Sequence, residues 1–305
     1  KATGIELLPS AIFSIDARKA AMEINPAKFE NYVNQIINLN FESFENKKSS
    51  FKHIRITESA FPEKTERELS GYLSYVRSNI RPRGIRLLLE FAAFSILEEI
   101  SFTRKDGQFL RWDKRSGRTR SSFDKGEIPS FSEAIERKLR TIVDDISGFP
   151  RNGQLSISDF TGKEEDTMER GEIKLIQGSC LNKLRLCKSN SVNLVITSPP
   201  YCNRYDYTRS YALELAFLGC SNDTVNKLRQ NMLSCTVENK SKVKKLRDYY
   251  RRNGILESFE EAFGVFERQE AFKEVWSQLE DIKKDLPNSN VPRMIWNYFF
   301  EMNLV

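Results

Sequence analysis

Val192-Asn193-Leu194-Val195-Ile196-Thr197-Ser198-Pro199-Pro200-Tyr201 is the stretch of sequence that decides the fold. Its apolar first half predicts a strand, and the two prolines end that strand because proline cannot donate to a sheet ladder and restricts the residue before it. We therefore expect the chain to leave the strand's carboxyl end as a stiff loop with exposed carbonyls and Tyr201 at its tip. Ligands of open α/β sheets bind at that end of the strands.

The loop from Ser198 to Tyr201 has groups suited to holding a flat ring that carries an amino group. The Pro199 carbonyl and the hydroxyl or carbonyl of Ser198 can accept the two amino hydrogens, and Tyr201 can stack on the ring face. Accepting those hydrogens keeps electron density on the nitrogen, which can then attack an electrophilic methyl group. Taken alone, Ser-Pro-Pro-Tyr is also compatible with a proline turn and a packed tyrosine.

The flanking sequence predicts a parallel α/β arrangement. Upstream, the segment from Ile173 to Cys180 has the pattern of a strand and a turn, followed by a short helix over 181–186. Downstream, a helix is expected from about Thr208 to Leu218, with Gly219 as its C-cap. Strand, turn, helix and strand in this order form a parallel unit.

The amino terminus predicts another short strand followed by a helix. Residues 1–6 read as a short strand that ends in Glu6, and Pro9 suits the first turn of a helix to about Glu23. An acid at such a strand end commonly hydrogen-bonds ribose hydroxyls. Glu6 is therefore a candidate ligand for a nucleoside.

The motif Thr197-Ser198-Pro199-Pro200-Tyr201 and its upstream flank resemble a conserved block of the DNA amino-methyltransferases, which methylate cytosine N4 or adenine N6 using S-adenosylmethionine. The family pattern is (Asp/Asn/Ser)-Pro-Pro-(Tyr/Phe). Ser179 and Asn193 differ from it, since Asp is usual at both positions. The resemblance implies an α/β fold with a Rossmann-like methyltransferase sheet, partial in this chain, and large, mostly helical insertions.

The resemblance also implies roles for individual residues. Ser198, Pro199, Pro200 and Tyr201 would form the catalytic loop that receives a base flipped out of the duplex. Glu6, Gly178, Ser179 and Thr197 would bind S-adenosylmethionine. The Ser form of the motif is commoner in cytosine-N4 enzymes, so cytosine N4 is favoured and adenine N6 is the alternative.

The glycine-rich Phe-x-Gly-x-Gly loop of the family does not occur in these 305 residues. We therefore expect the chain to be an interior piece of a larger methyltransferase, or a protein shortened at both ends, and to bind S-adenosylmethionine weakly or not at all by itself. A catalytically incomplete DNA-binding fragment or subunit is the competing interpretation.

The composition excludes several classes of protein. With 30% charged and 39% hydrophobic residues the chain is globular rather than disordered. It contains no apolar run near the roughly eighteen residues that span a membrane. Five cysteines without metal-ligand spacing and one histidine argue against both a metal site and a disulfide framework, and favour a cytoplasmic protein.

The net charge of +6 permits binding to double-stranded DNA, and the distribution of charge favours it. Residues 101–126 combine basic and aromatic side chains that can neutralise phosphates and contact guanine edges. A second basic cluster covers 240–252. The candidate DNA contacts are Arg104, Arg111, Trp112, Lys114, Arg115, Arg118 and Arg120, together with Asn203, Arg204 and Tyr205 beside the proline loop. A cognate restriction endonuclease is the other expected partner.

Five segments follow from this interpretation. Residues 1–30 begin the methyltransferase core, 31–170 form a helical insertion for target recognition, 171–220 hold the catalytic loop, 221–290 form a second helical insertion, and 291–305 return to the core. Within the first insertion, 85–100 should be a buried helix. Ser130 and Glu133 form a capping box that opens a helix with a core face of Ile135, Leu139, Ile142, Val143 and Ile146.

Overall fold

The computed structural model describes residues 1–46, 51–107, 109–118, 121–148, 172–202 and 205–305. Over these ranges the chain is mixed α/β and mostly helical, with two small sheets. The strands are β1 (Ala2–Glu6), β2 (Thr103–Asp106), β3 (Phe109–Trp112) and β4 (Ile173–Gln177). The helices of the first half are α1 (Pro9–Glu23), α2 (Pro26–Ile36), α3 (Glu63–Asn79), α4 (Arg83–Ser95) and α5 (Phe131–Gly148). Those of the second half are α6 (Cys180–Lys183), α7 (Tyr207–Ser210), α8 (Ala212–Phe217), α9 (Asn222–Asn231), α10 (Val243–Arg252), α11 (Leu256–Glu267), α12 (Glu270–Asp281) and α13 (Val291–Asn303).

The parallel pair of β1 and β4 confirms two predicted strands. Ala2 pairs with Ile173 and Glu6 with Gln177, so the carboxyl ends of both strands lie at the same edge. The predicted helix after β1 is α1, which begins at Pro9, and the short helix after β4 is α6 followed by a 3₁₀ turn over Leu184–Leu186. The other sheet is an antiparallel hairpin of β2 and β3 inside the basic segment.

The strand predicted over Val192–Ile196 is not present. This segment is extended chain without regular structure, and its apolar side chains face solvent, with Ile196 88% exposed. A buried strand needs a neighbour that supplies ladder hydrogen bonds and a layer that covers its side chains. The described residues supply neither to this segment.

The first hydrophobic core lies among α1–α5 and continues into α8. Ile135, Leu139, Ile142 and Ile146 of α5 are all buried in it, and Val143 packs at its edge, as the helical period predicts. The capping box at the start of α5 is also confirmed, since Ser130 Oγ accepts from the Glu133 amide at 3.2 Å.

Close packing in this core depends on one glycine. A Cβ on Gly71 of α3 would lie 1.8 Å from the Phe41 carbonyl oxygen, so only glycine lets the 3₁₀ turn over Phe41–Phe44 approach the helix. The predicted buried helix over 85–100 is α4, which ends at Ser95, and Ile96, Leu97 and Ile100 stay buried in the turns that follow it.

A second core lies among α10, α11 and α13. Its centre is aromatic: the Phe300 ring centroid is 5.9 Å from Phe259 and 5.2 Å from Trp296. Buried Lys242 donates from Nζ to both Glu301 carboxylate oxygens, at 2.8 and 2.9 Å. The 3₁₀ turn after α6 contacts this core because Arg185 donates to Tyr250 Oη at 3.1 Å and to the Leu304 carbonyl at 2.7 Å.

The segment 171–220 is divided between the two cores. Leu181 packs in the second core, whereas Ala212, Leu213, Leu215 and Phe217 of α8 are buried in the first. The helix predicted over 208–218 is interrupted at Tyr211, whose φ of −104° and ψ of 28° separate α7 from α8. Gly219, with φ of 77°, ends α8 as predicted. The proline loop is therefore part of the connection between the cores.

Candidate functional site

The proline loop is open to solvent and fixed at one point. Thr197, Ser198 and Pro199 are exposed, and Tyr201 is 73% exposed. Tyr298 of α13 donates its hydroxyl to the Pro200 carbonyl oxygen at 2.8 Å. No hydrogen bond between described residues uses the carbonyl of Ser198 or Pro199. The two oxygens proposed to accept a base amino group thus have acceptor capacity to spare.

Tyr298 is a residue that the sequence interpretation missed. It stands 98 positions from Pro200 along the chain. A tyrosine in an amphipathic helix has the ordinary pattern of a core residue, so no local signal marks its contact with the loop. Only the packing of α13 beside the loop reveals it.

The downstream end of the loop is also held in place. The Tyr205 carbonyl accepts from Cys235 Sγ at 3.1 Å, and the Tyr205 and Tyr207 rings lie 4.6 Å apart. Burial raises the pKa of Cys202 to about 11 and that of Cys235 to about 12. Both thiols therefore stay protonated near neutral pH, which fits packing rather than nucleophilic roles.

Asp206, which stands beside these residues, has a structural role. Its side chain is 2% exposed, accepts from the Thr208 amide at 3.0 Å and pairs with Arg229 at 2.7 Å. It caps α7 and connects that helix to α9. The neighbouring candidates Asn203 and Arg204 lie outside the described residues.

The predicted cofactor residues Glu6, Gly178 and Ser179 lie together at the carboxyl edge of the β1–β4 pair. Gly178 donates its amide to the Glu6 carbonyl at 2.8 Å. Its φ of 146° favours glycine there. Ser179 precedes α6, and its carbonyl accepts from the Asn182 and Lys183 amides.

The Glu6 carboxylate retains acceptor capacity for a ribose. Its Oε1 accepts from the amides of Leu7 at 2.7 Å and Leu8 at 2.8 Å, at the start of α1. Its Oε2 has no donor among the described residues, so the group fits a ligand with hydroxyl donors. No hydrogen bond or ring contact within the described ranges joins this edge to the Ser198–Tyr201 loop.

Most cations of the basic segment are paired with acids. Arg111 pairs with Asp106, Lys114 with Asp124 at 2.8 Å, and Arg115 with Asp113 at 2.7 Å. Within the described ranges, Arg104 and Arg118 of this segment have no such pair and instead lie over rings, Arg104 at 5.8 Å from the Phe123 centroid and Arg118 at 3.6 Å from Trp112. Arg120 lies outside the described residues.

Ion pairs also reduce the number of free cations in the second basic cluster. Lys242 is buried against Glu301, Arg247 pairs with Glu260 at 2.8 Å, and Arg251 pairs with Asp248 at 2.8 Å. A count of cations in the sequence therefore overstates the charge that these two segments offer to a polyanion. The described part of the chain has no helix that could cross a membrane and no cluster of three or more potential metal ligands.

Comparison with known proteins adds a relationship that covers the whole chain. No protein-family model and no solved structure matches it. Two proteins named Type II methyltransferase M.AvaI, one from Nostoc sp. and one from Anabaena variabilis, are each 38% identical over 311 aligned residues, which cover 100% of this chain and 60% of theirs. Type II methyltransferase M.BsoBI from Geobacillus stearothermophilus is 35% identical over 319 residues, covering 99% of this chain and 60% of that protein. The chain thus spans about 60% of the length of these relatives and, over all of its own length, is similar to Type II methyltransferases.

Proposed function

We propose that this chain is part of a site-specific DNA methyltransferase that transfers a methyl group to an exocyclic amino group by base flipping. One observation carries the proposal: a solvent-open Ser198-Pro199-Pro200-Tyr201 loop occurs in a chain that is similar over its whole length to Type II methyltransferases. A base inside a duplex cannot reach such a loop, so it must be extruded, at a cost of a few kcal/mol.

Each residue of the loop has a proposed task. The Pro199 carbonyl and the Ser198 hydroxyl or carbonyl accept the two amino hydrogens, which keeps the nitrogen lone pair available for the methyl group. Tyr201 stacks on the flipped base. The Tyr298 hydroxyl, 2.8 Å from the Pro200 carbonyl oxygen, holds the middle of the loop in place. The nitrogen loses its proton as or after it is methylated, so the loop needs no strong general base.

The proposed methyl donor is S-adenosylmethionine, which supplies an electrophilic sulfonium methyl group when bound. Glu6 would accept from the ribose hydroxyls through Oε2, and Gly178, Ser179 and Thr197 would line the same region. The chain lacks the glycine-rich loop that would meet the methionine portion. We therefore expect the isolated chain to bind the cofactor weakly.

Cytosine N4 is the favoured target, and adenine N6 is the alternative. The proposal also includes a restriction-modification or phage-defence setting, a cytoplasmic location and a cognate endonuclease as partner; similarity to Type II methyltransferases supports the restriction-modification setting. The competing proposal is a DNA-binding part without catalysis. It is favoured by the lack of a contact, among the described residues, between the Glu6 edge and the proline loop.

Labelled methyl transfer from S-adenosylmethionine to duplex DNA, with the product nucleosides identified by mass spectrometry, tests these proposals. Since base–aromatic stacking contributes about 1–3 kcal/mol, Tyr201→Ala should lower kcat/KM by about 5- to 150-fold. Tyr201→Phe keeps the ring and should retain most activity. Ser198→Ala removes the hydroxyl and keeps the backbone carbonyl, so it tests which of these two oxygens accepts the amino hydrogen.

The outcomes distinguish the candidates. N4-methylcytosine supports the favoured target, and N6-methyladenine supports the alternative. DNA binding without methyl transfer, in a version of the chain extended at both ends as well as in these 305 residues, would favour the catalytically incomplete part. Unchanged transfer in both Tyr201→Ala and Ser198→Ala would remove the loop from the mechanism.

A further inference from the structure

A cavity of about 290 Å³ lies where the 3₁₀ turn over Arg55–Thr57 meets α7 and α9. Pockets that enclose drug-sized ligands typically have roughly 300–1,000 Å³, so this one suits a small group or one part of a larger ligand. Its lining contains four arginines and two asparagines but no acidic residue: Arg55, Arg118, Arg209, Arg229, Asn222 and Asn226. Its remaining members are Ile54, Ile56, Thr208 and Val225.

Two of these arginines form ion pairs with acidic residues that do not line the cavity. Arg229 pairs with buried Asp206 at 2.7 Å and also donates to Thr208 Oγ1 at 3.0 Å. Arg209 pairs with Glu238 at 2.6 Å and lies 3.3 Å from Asp206. Two carboxylates thus balance two guanidinium groups, and both arginines are held in fixed positions on the cavity wall.

The other two arginines leave an excess of positive charge. Arg118 is half-buried, with its guanidinium 3.6 Å from the Trp112 ring centroid, and it donates to the Ile56 and Glu58 carbonyls at 3.3 and 2.6 Å. Burial lowers the pKa of Arg118, and the Glu58 carboxylate opposes that effect. Arg55 is exposed, and its guanidinium has no ion pair within the described part of the chain.

The amino-terminal end of α9, whose first turn also carries Asp223, borders the cavity. Asn222 and Val225 in its first turn line the cavity, and Ser221 caps the helix by accepting from the Thr224 amide. The Asn222 side chain accepts from the Arg55 amide at 3.0 Å, which joins the helix to the 3₁₀ turn over Arg55–Thr57. The positive end of a helix favours anions, and arginine donors match phosphate oxygens.

We infer that this cavity binds a phosphate group. Arg55 supplies the uncommitted guanidinium, while Arg118, fixed on Trp112, and the first turn of α9 form the rest of the site. The group can belong to a DNA phosphodiester or to a free phosphate. The inference that the cavity binds a phosphate group rests on its lining. The inference that this phosphate group belongs to DNA rests on the proposed function.

Arg55 is the residue to change, because its side chain makes no hydrogen bond or ion pair within the described fold. Arg55→Ala is compared with Arg81→Ala, which removes an equally exposed arginine that does not line the cavity. Both variants lose one positive charge, so a difference between them reports position rather than net charge. Arg55→Lys keeps the charge without the planar fork.

The 305-residue chain is titrated with a labelled DNA duplex over a series of salt concentrations, and separately with inorganic phosphate by calorimetry. For each phosphate contact, the logarithm of the DNA-binding constant falls by about 0.9 for every tenfold rise in salt concentration. Loss of that contact in Arg55→Ala should therefore weaken DNA binding about eightfold at about 0.1 M salt and reduce the slope by about 0.9. Arg81→Ala should change the DNA affinity and the salt slope only by the small amount expected for the loss of a distant charge.

Weaker duplex binding in Arg55→Ala alone supports a DNA phosphate site. Loss of inorganic phosphate binding in Arg55→Ala, with duplex binding unchanged, supports the site with a free phosphate as its ligand. Identical behaviour of Arg55→Ala and Arg81→Ala toward both ligands would overturn the inference, even if the chain binds DNA and the proposed function stands. Phosphate binding that depends on Arg55 in a chain that does not bind DNA would leave the site standing and count against the proposed function.

Discussion

Asp113 illustrates at the scale of one residue how a basic segment is organised. Its carboxylate is fully buried and accepts from the Arg115 amide and guanidinium and from the Lys125 amide, at 2.7–2.8 Å. These bonds hold the 3₁₀ turn over Lys114–Ser116 against the loop that follows it. One acid thus fixes the direction of the Arg115 side chain and holds the backbone at Lys125.

We predict that Asp113 makes folding stability depend on acidic pH. Hydrogen bonds from Arg115, above all, hold the pKa of Asp113 well below its ordinary value of about 3.9. Because the folded pKa is the lower one, the stabilisation is complete above about pH 4 and is lost progressively as the pH falls below it. Urea unfolding of the wild type and of Asp113→Asn between about pH 6 and 2.5 should give a shallower loss in the variant.

The matched control for this experiment is Asp144→Asn, since Asp144 is an exposed acid of α5 without a partner among the described residues. Its stability should follow the wild-type pH curve. Parallel curves for Asp113→Asn and the wild type would show that Asp113 does not carry this dependence.

At the scale of one element, the apolar segment 192–196 has the composition of a strand but lacks the surroundings of one. Val192, Leu194, Val195 and Ile196 are 60–88% exposed. Contiguous exposed apolar surface marks interaction sites or sites of association. Within the described structure, the segment contributes no core packing, although its sequence is among the most apolar of the chain.

We predict that Leu194→Lys and Ile196→Lys change the unfolding free energy of this chain by less than about 0.5 kcal/mol, because both side chains face solvent. The same variants should reduce dye binding to exposed apolar surface and concentration-dependent association. Urea unfolding, dye fluorescence and light scattering measure these effects. Leu213→Lys, at a fully buried position of α8, is the contrasting variant and should prevent stable folding. A loss above about 2 kcal/mol for Ile196→Lys would place the segment in a packed layer instead.

At the scale of the whole molecule, two hydrophobic cores stabilise the described part of the chain. The first contains α1–α5 and α8, and the second contains α10, α11 and α13. The proline loop lies on the connection between them, between Leu181 in one core and α8 in the other. The Tyr298–Pro200 and Cys235–Tyr205 contacts hold that connection at two points.

Phe300 and Phe299 test the second core as neighbouring residues with different burial. Phe300 is 1% exposed and Phe299 is 46% exposed. Phe300→Ala should cost about 3–5 kcal/mol, because it leaves a cavity beside Trp296. Phe299→Ala should cost no more than about 1.5 kcal/mol, since Phe299 is half-exposed and its ring pairs are with Phe272 and Tyr298.

Trp276 and Trp296 report the unfolding of this core by fluorescence once Trp112, which packs against the first core, is changed to Phe. In the Trp112→Phe protein, Phe300→Ala should lower the urea concentration at the midpoint of unfolding. Equal shifts for the two phenylalanine variants would contradict the packing described for α13.

Local sequence was sufficient for much of the fold. The capping box and the helical period predicted α5 and its core face, prolines and a strand-end acid predicted β1 and α1, and Gly219 predicted the end of α8. These signals work because a helix or a cap takes its hydrogen bonds from residues three or four positions away.

Long-range partners decided what the sequence could not. An apolar run becomes a strand only beside a neighbour, and 192–196 has none in the described structure. Arg111, Lys114 and Arg115 are cations in the sequence but members of ion pairs in the fold. Tyr298 reaches Pro200, and Arg55 and Arg118 meet at one cavity, through packing alone. Strand pairing, charge compensation and site assembly join groups that are distant along the chain, so the amino-acid pattern of one segment cannot specify them.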